Sequence, residues 1–443
     1  MKTFVNAFKD RDTLVLFLDR FIMALKGPLV IMAVLFSLNV QEQGIWYTFI
    51  SLSALSGIVE LGFTSIITQF VSHEYAYLKK KNGFLIGKRN SIDRAFGLVR
   101  YALKFYLYIV PLAVVLLVFV GIYFFENESD SIKLAWIIYC IFNGVNLFVS
   151  LLQAIYKGFD NIYEIHLTIA YSNLVSLTVI VVGLLLGGGV FTLPLSIAFY
   201  VLTSVILLKR YAGKLCVQIY KHNIINIHSW KEEIITLQSK YAVSFLCGYF
   251  IFNLYVPIAY KYQGDVVAGQ LGLSITIVKA ISTFCYVWLF SKLPKMNMLA
   301  AKGERVALYK LFKERSLFTL GTYIVGVFAI MLLVYLASYF EFYNSRILSF
   351  SNILLLCFSE LSVVLMSIYA IYVRAHKLEP FNIPSIITAL STGAIVFISM
   401  QEKSIYHMYI YVNLFQWLIM LPLFFYFGKE EMNKYYLKKS KGL

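Results

Sequence analysis

Long apolar stretches recur every thirty to forty residues along the chain. Each is long enough to cross about 30 Å of hydrocarbon at 1.5 Å rise per residue. They lie at 13–38, 45–72, 101–124, 133–156, 162–186, 190–208, 241–262, 266–290, 316–340, 347–372, 381–400 and 404–427. Hydrophobic residues fill 60% of the 443 positions and charged residues 14%, against about 25% charge in soluble chains. Lipid is therefore the main solvent. The expected fold is an all-α integral membrane protein of about twelve transmembrane helices, in two six-helix lobes around a central cavity.

The net charge of +16 does not point to nucleic acid, because the basic residues lie between apolar spans, where they meet anionic headgroups and set orientation. With both termini in the cytoplasm, the external loops hold four Lys or Arg (Lys133, Lys261, Arg346, Lys403) and the spans three. The other 32 of 39 lie on cytoplasmic segments or the helix ends beside them. External loops are short, the longest being the acidic stretch from Glu126 to Ser131, which leaves no room for an external domain. Charges up to Arg20 precede a long apolar run without a small-residue cleavage site, the pattern of a retained helix rather than a signal peptide. None of the five cysteines falls in an external loop, so no disulfide framework is expected.

The connection at 209–240 divides the chain into a lobe at 1–208, a cytoplasmic linker at 209–240, a lobe at 241–427 and a basic tail at 428–443. Within the linker, Ser229 and Glu232 fit a capping box before Trp230, Ile234, Leu237 and Tyr241, which predicts a short interfacial helix. A weak repeat supports two lobes: Ala154-Ile155-Tyr156 and Ala370-Ile371-Tyr372 both end the fourth helix of a lobe, and Pro28 and Pro257 both lie deep in a first helix. Such repeats are typical of alternating-access carriers, and both prolines are expected to act as hinges.

Six ionisable residues lie deep within spans, away from their ends: Asp19, Arg20, Lys26, Glu60, Lys279 and Glu360. A charge at midspan costs about 2.5–3.5 kcal/mol on the insertion scale, so it normally faces a partner, water or substrate. Lys279 is too deep to reach an interface and is the leading substrate contact, with a structural carboxylate pair as the alternative. Lys26, before Gly27-Pro28, is similarly deep. Arg20 could contact substrate or extend to the headgroups. Asp19 lies seven residues before Lys26, on nearly one helical face, and could neutralise a basic neighbour. Glu60 and Glu360 could carry a coupling proton, bind Na⁺, or pair with the lysines. No metal centre or other cofactor is expected.

The remaining features read as packing or surface. His166 and His407 are expected to be interfacial, and Gly187-Gly188-Gly189 forms an external turn. Lys79-Lys80-Lys81 is an orientation signal and headgroup contact.

On Glu60-Leu61-Gly62-Phe63 and the segment from Gly269 through Lys279 to Pro294, the chain resembles the multidrug/oligosaccharidyl-lipid/polysaccharide (MOP) exporter superfamily, and within it the Wzx-type O-antigen flippases. Relatives that flip the peptidoglycan lipid precursor place basic residues in the first and eighth helices, where Arg20, Lys26 and Lys279 stand here. Lys replaces the usual Arg at two of these, and two additional C-terminal helices are lacking, which argues against that precursor. The resemblance implies translocation of an undecaprenyl-pyrophosphate-linked oligosaccharide across a bacterial inner membrane. It also implies membrane lipids, a polysaccharide polymerase and chain-length machinery as partners. The rival within the superfamily is a cation-coupled multidrug exporter. A membrane glycosyltransferase or polymerase would need an external catalytic loop, for which these loops are too short.

Overall fold

A computed structural model of the protein describes residues 11–226, 228–290, 292–337, 346–376, 378–401 and 405–440. Among the described residues, each expected span is mostly helical. Among the described residues nine helices are long and apolar enough to cross a membrane, and a bent pair within 40–75 makes a tenth. Helix α1 (Arg11–Ser37) and the pair α9 (Trp230–Phe252) and α10 (Tyr255–Gln263) lie at the two other positions, which is compatible with twelve passes. The protein is thus a multi-pass helical membrane protein.

The chain forms two compact units, Met1–Glu42 with Phe49–Phe245, and Gln43–Thr48 with Leu246–Leu443. In the first, α1 is followed by α2 (Val40–Ser53), of which Gln43–Thr48 belong to the second unit, then α3 (Ser56–Glu60), α4 (Phe63–Tyr75), a β-hairpin, α5 (Arg89–Phe124), α6 (Asp130–Gly158), α7 (Ile162–Leu185) and α8 (Thr192–Lys221). Its core gathers Phe63 and Ile67 of α4, Phe96 and Tyr106 of α5, Ile155 of α6 and Leu208 of α8. Trp230 and Ile234 join this core from α9. The expected interfacial helix does not exist as a separate element, because α9 runs unbroken from Trp230 into the seventh pass. Burial of Trp230 and Ile234 fixes the segment to the protein rather than to lipid.

The expected second span, 45–72, is not one helix. It breaks at Leu61 and Gly62, both left-handed at φ 49° and 74°, and α4 leaves at 44°. Only glycine adopts that region without strain, so Gly62 suits the break and Leu61 is held there by its surroundings.

The connection at 73–100 contains a β-hairpin, although a long basic loop is expected there. Strands β1 (Leu78–Lys81) and β2 (Phe84–Gly87) pair antiparallel around Asn82-Gly83, both at positive φ. That dipeptide is the preferred two-residue hairpin turn.

In the second unit, α11 (Asp265–Cys285), α12 (Val287–Phe290), α13 (Leu293–Lys302) and α14 (Arg305–Ala337) are followed by α15 (Phe350–Arg374), α16 (Asn382–Gln401) and α17 (Ile405–Phe415). A π-helical turn at Gln416–Met420 links α17 to α18 (Leu421–Ser440). The expected tail at 428–443 is helical as far as Ser440.

Candidate substrate and coupling sites

In the first unit α1 and α7 pack in parallel, and one seven-residue step on each brings two polar pairs into register. Asp19 Oδ2 lies 2.9 Å from His166 Nδ1, and Lys26 Nζ donates to Asn173 Oδ1 at 3.2 Å and Ser176 Oγ at 3.4 Å. Asp19 and Lys26 therefore do share a face, as their spacing required. His166 is buried at 6% exposure, so its expected interfacial role is corrected to that of Asp19's partner. Asp19 Oδ1 and His166 Nε2 are buried and without a hydrogen-bond partner, as is Gln153 Nε2.

The two ends of this face differ in charge balance. Asp19 has a basic neighbour. Lys26 is held by two neutral acceptors, and among the described residues no carboxylate lies within ion-pair distance of it. The Arg20 side chain lies outside the described residues. Pro28 is exposed and sits inside an uninterrupted α1.

Glu60 closes the break in the second pass. Its Oε1 accepts the Thr64 N–H at 3.2 Å and also the Thr64 hydroxyl, so a carboxylate caps the start of α4. The first N–H groups of a helix have no internal partner and the N-terminus favours negative charge. Glu60 is not paired with Lys26.

In the second unit the seventh pass breaks at Asn253 and Leu254, between α9 and α10. Pro257 is buried in α10 and has no N–H to give the Asn253 carbonyl four residues earlier. Lys279 Nζ donates to the Phe252 carbonyl, the last of α9, at 2.8 Å and lies 5.6 Å from the Phe252 ring. Glu360 accepts from Ser282 Oγ at 2.7 Å. Lys279 and Glu360 line one pocket with Tyr255, Ser359, Tyr409 and Gln416, and they make no direct ion-pair contact.

Gln416, at the head of the π-helical turn, accepts from Ser359 at 2.7 Å and Ser362 at 2.9 Å. Such turns recur at functional sites. Gln416, Ser359, Asn173 and Ser176 carry no charge and so do not stand out among the midspan ionisable residues. Their signal was present as neutral polar residues within apolar spans. Among the described residues no three His, Cys, Asp or Glu side chains converge as metal ligands would.

No family model and no curated protein matches the chain. Solved structures share its fold. An inward-facing multidrug resistance MATE family transporter of the MOP superfamily superposes with a TM-score of 0.60 at 12% identity, over 93% of this chain and 98% of its own. The lipid II flippase MurJ, in an inward closed conformation, gives 0.59 at 13% identity over 94% and 87%. A MOP superfamily transporter from Pyrococcus furiosus, for which reverse polarity of the binding pocket suggests a different function, gives 0.50 at 12% identity over 96% of each chain.

Proposed function

We propose that this chain is a flippase that moves an undecaprenyl-pyrophosphate-linked oligosaccharide from the cytoplasmic to the periplasmic leaflet of a bacterial inner membrane by alternating access. The observation that carries the reading is Lys26. Its ammonium lies deep in a span against neutral acceptors alone, and such a charge is stabilised when an anion arrives. A pyrophosphate supplies that anion through charge-assisted contacts, while the polyprenyl tail stays in lipid. Lys279 and Arg20 are secondary contacts in this scheme. The lipid II flippase among the structural neighbours supports a lipid-linked substrate.

Coupling, in this reading, belongs to the buried Asp19–His166 pair. Glu360 serves as a second candidate for H⁺ or Na⁺. Both termini are cytoplasmic, and a polysaccharide polymerase with its chain-length machinery acts on the delivered product.

The competing reading, a cation-coupled multidrug exporter, draws on the carboxylate and aromatic rings of the Glu360 cavity, which suit an organic cation. The two separate in proteoliposomes. A fluorescent undecaprenyl-pyrophosphate glycan should become accessible in the opposite leaflet only when the wild-type chain is present. Efflux of ethidium with no movement of the glycan would select the exporter instead.

A further inference from the structure

The hairpin Leu78–Gly87 is a shaped, fastened element with one face left over. Leu78 and Leu85 are buried in the core of the first unit. The Gln218 side chain bonds Leu85 twice, accepting its N–H at 2.8 Å and donating to its carbonyl at 2.7 Å. Lys80 reaches the Asn161 side chain. Three ties on three elements hold the ribbon in one orientation.

Its height relative to the membrane follows from Asn161. That residue lies in the three-residue connection between α6 and α7, both apolar passes. The 29 residues of α6 extend about 43 Å at 1.5 Å per residue, matching a bilayer with its headgroups at about 40–45 Å. The connection therefore sits at the headgroup level, and Lys80 holds the hairpin there.

The register then sorts the side chains. Lys79 pairs with Ile86 and Lys81 with Phe84 on the face opposite Leu78 and Leu85. All four are exposed, Phe84 at 41% and Ile86 at 49%, and Tyr77 beside them is 74% exposed. From Tyr75 to Ile92 the chain carries five basic residues and no acidic one. Lysines alternating with aromatic and aliphatic side chains suit the boundary between phosphates and acyl chains.

We propose that this outward face of the hairpin is a docking surface for anionic phospholipid headgroups, with Phe84 and Ile86 seated at the acyl boundary and Lys79 and Lys81 on phosphates. The charge complementarity favours lipid over a soluble protein, since an anionic surface lies at the same level. At about fivefold per lysine near such a surface, neutralising both is expected to weaken docking on the order of thirtyfold.

The test places a polarity-sensitive fluorophore on Ile86→Cys, in full-length protein whose five native cysteines are replaced by Ala. The protein is held in nanodiscs of phosphatidylcholine, or of phosphatidylcholine with phosphatidylglycerol. Docking predicts blue-shifted emission and quenching by brominated acyl chains only with phosphatidylglycerol, both lost in Lys79→Gln/Lys81→Gln. Hydrogen exchange of residues 77–87 in the unsubstituted chain should slow with the same lipid, which keeps the test independent of the variants. Solvent-like emission and equal exchange in both nanodiscs would overturn the proposal, as would protection that appears only on adding a soluble cell extract.

Discussion

Lys279 and Phe252 meet where the seventh pass breaks, the ammonium donating to the carbonyl that ends α9 at 2.8 Å. A helix C-terminus carries about half a negative charge and unpaired carbonyls, so this lysine neutralises a feature of its own fold. Glu60 does the converse at the start of α4, where a carboxylate meets free N–H groups. Two of the midspan charges are thereby matched in sign to the helix ends they cap.

This relationship changes what a substitution of Lys279 should do. Lys279→Met strands the Phe252 carbonyl and leaves Glu360 without its nearby cation. An unpaired buried acceptor costs about 1–3 kcal/mol, so thermal unfolding in detergent should shift down. Adding Glu360→Gln should recover part of that loss. Unchanged stability in Lys279→Met would free the residue for a purely substrate-facing role.

At the second pass, Glu60→Ala removes the cap of α4 and should destabilise by about 0.5–2 kcal/mol, the usual range for losing a helix cap. Glu60→Gln keeps an acceptor oxygen and should cost less. Gly62→Ala forces a Cβ into left-handed backbone and should exceed the ~1 kcal/mol typical of such exchanges at compatible sites, with the opposite sign. Thermal melts of the three variants rank these effects, and a neutral Glu60→Ala would point away from capping.

How far the sequence revealed this depended on the kind of signal. Periodicity placed the passes and put Asp19 and Lys26 on one face, because helical spacing is local. It did not show that α7 lies parallel to α1 with the same step, and so His166 near a helix start read as interfacial when it is buried. Pro257 drew attention to the seventh pass, yet the break falls at Asn253 and Leu254, where the missing N–H is felt. Pro28 carries the same residue type in an unbroken helix. The hairpin was legible from Asn82-Gly83, but three successive lysines obscured the alternation of the first strand.

For the Asp19–His166 pair, a coupling role and a packing role predict different data. His166→Gln should remove the acceleration of transport by an imposed proton gradient and leave a gradient-independent rate. Removing one partner of a buried pair costs about 3–5 kcal/mol, so His166→Ala should also unfold earlier, with Asp19→Asn/His166→Gln restoring part of the stability. A structural pair would show the stability changes with the gradient response intact.

Lys26 separates the two functional readings most directly. Its hydrogen bonds to Asn173 and Ser176 use neutral oxygens, so removing the ammonium leaves no carboxylate stranded in the membrane. Lys26→Met should therefore insert and fold with stability within about 1 kcal/mol of the parent, since a neutral hydrogen bond contributes roughly that much. Flipping of the pyrophosphate-linked glycan should fall by about tenfold or more, because a charge-assisted contact to an anion is worth about 1.5–3 kcal/mol. Lys26→Arg should retain part of the activity, as charge persists while donor geometry changes. Asn173→Ala should weaken flipping less, by loosening the side chain rather than discharging it. Full flipping by Lys26→Met, alongside normal protein in the membrane, would sink the assignment of this lysine to the pyrophosphate.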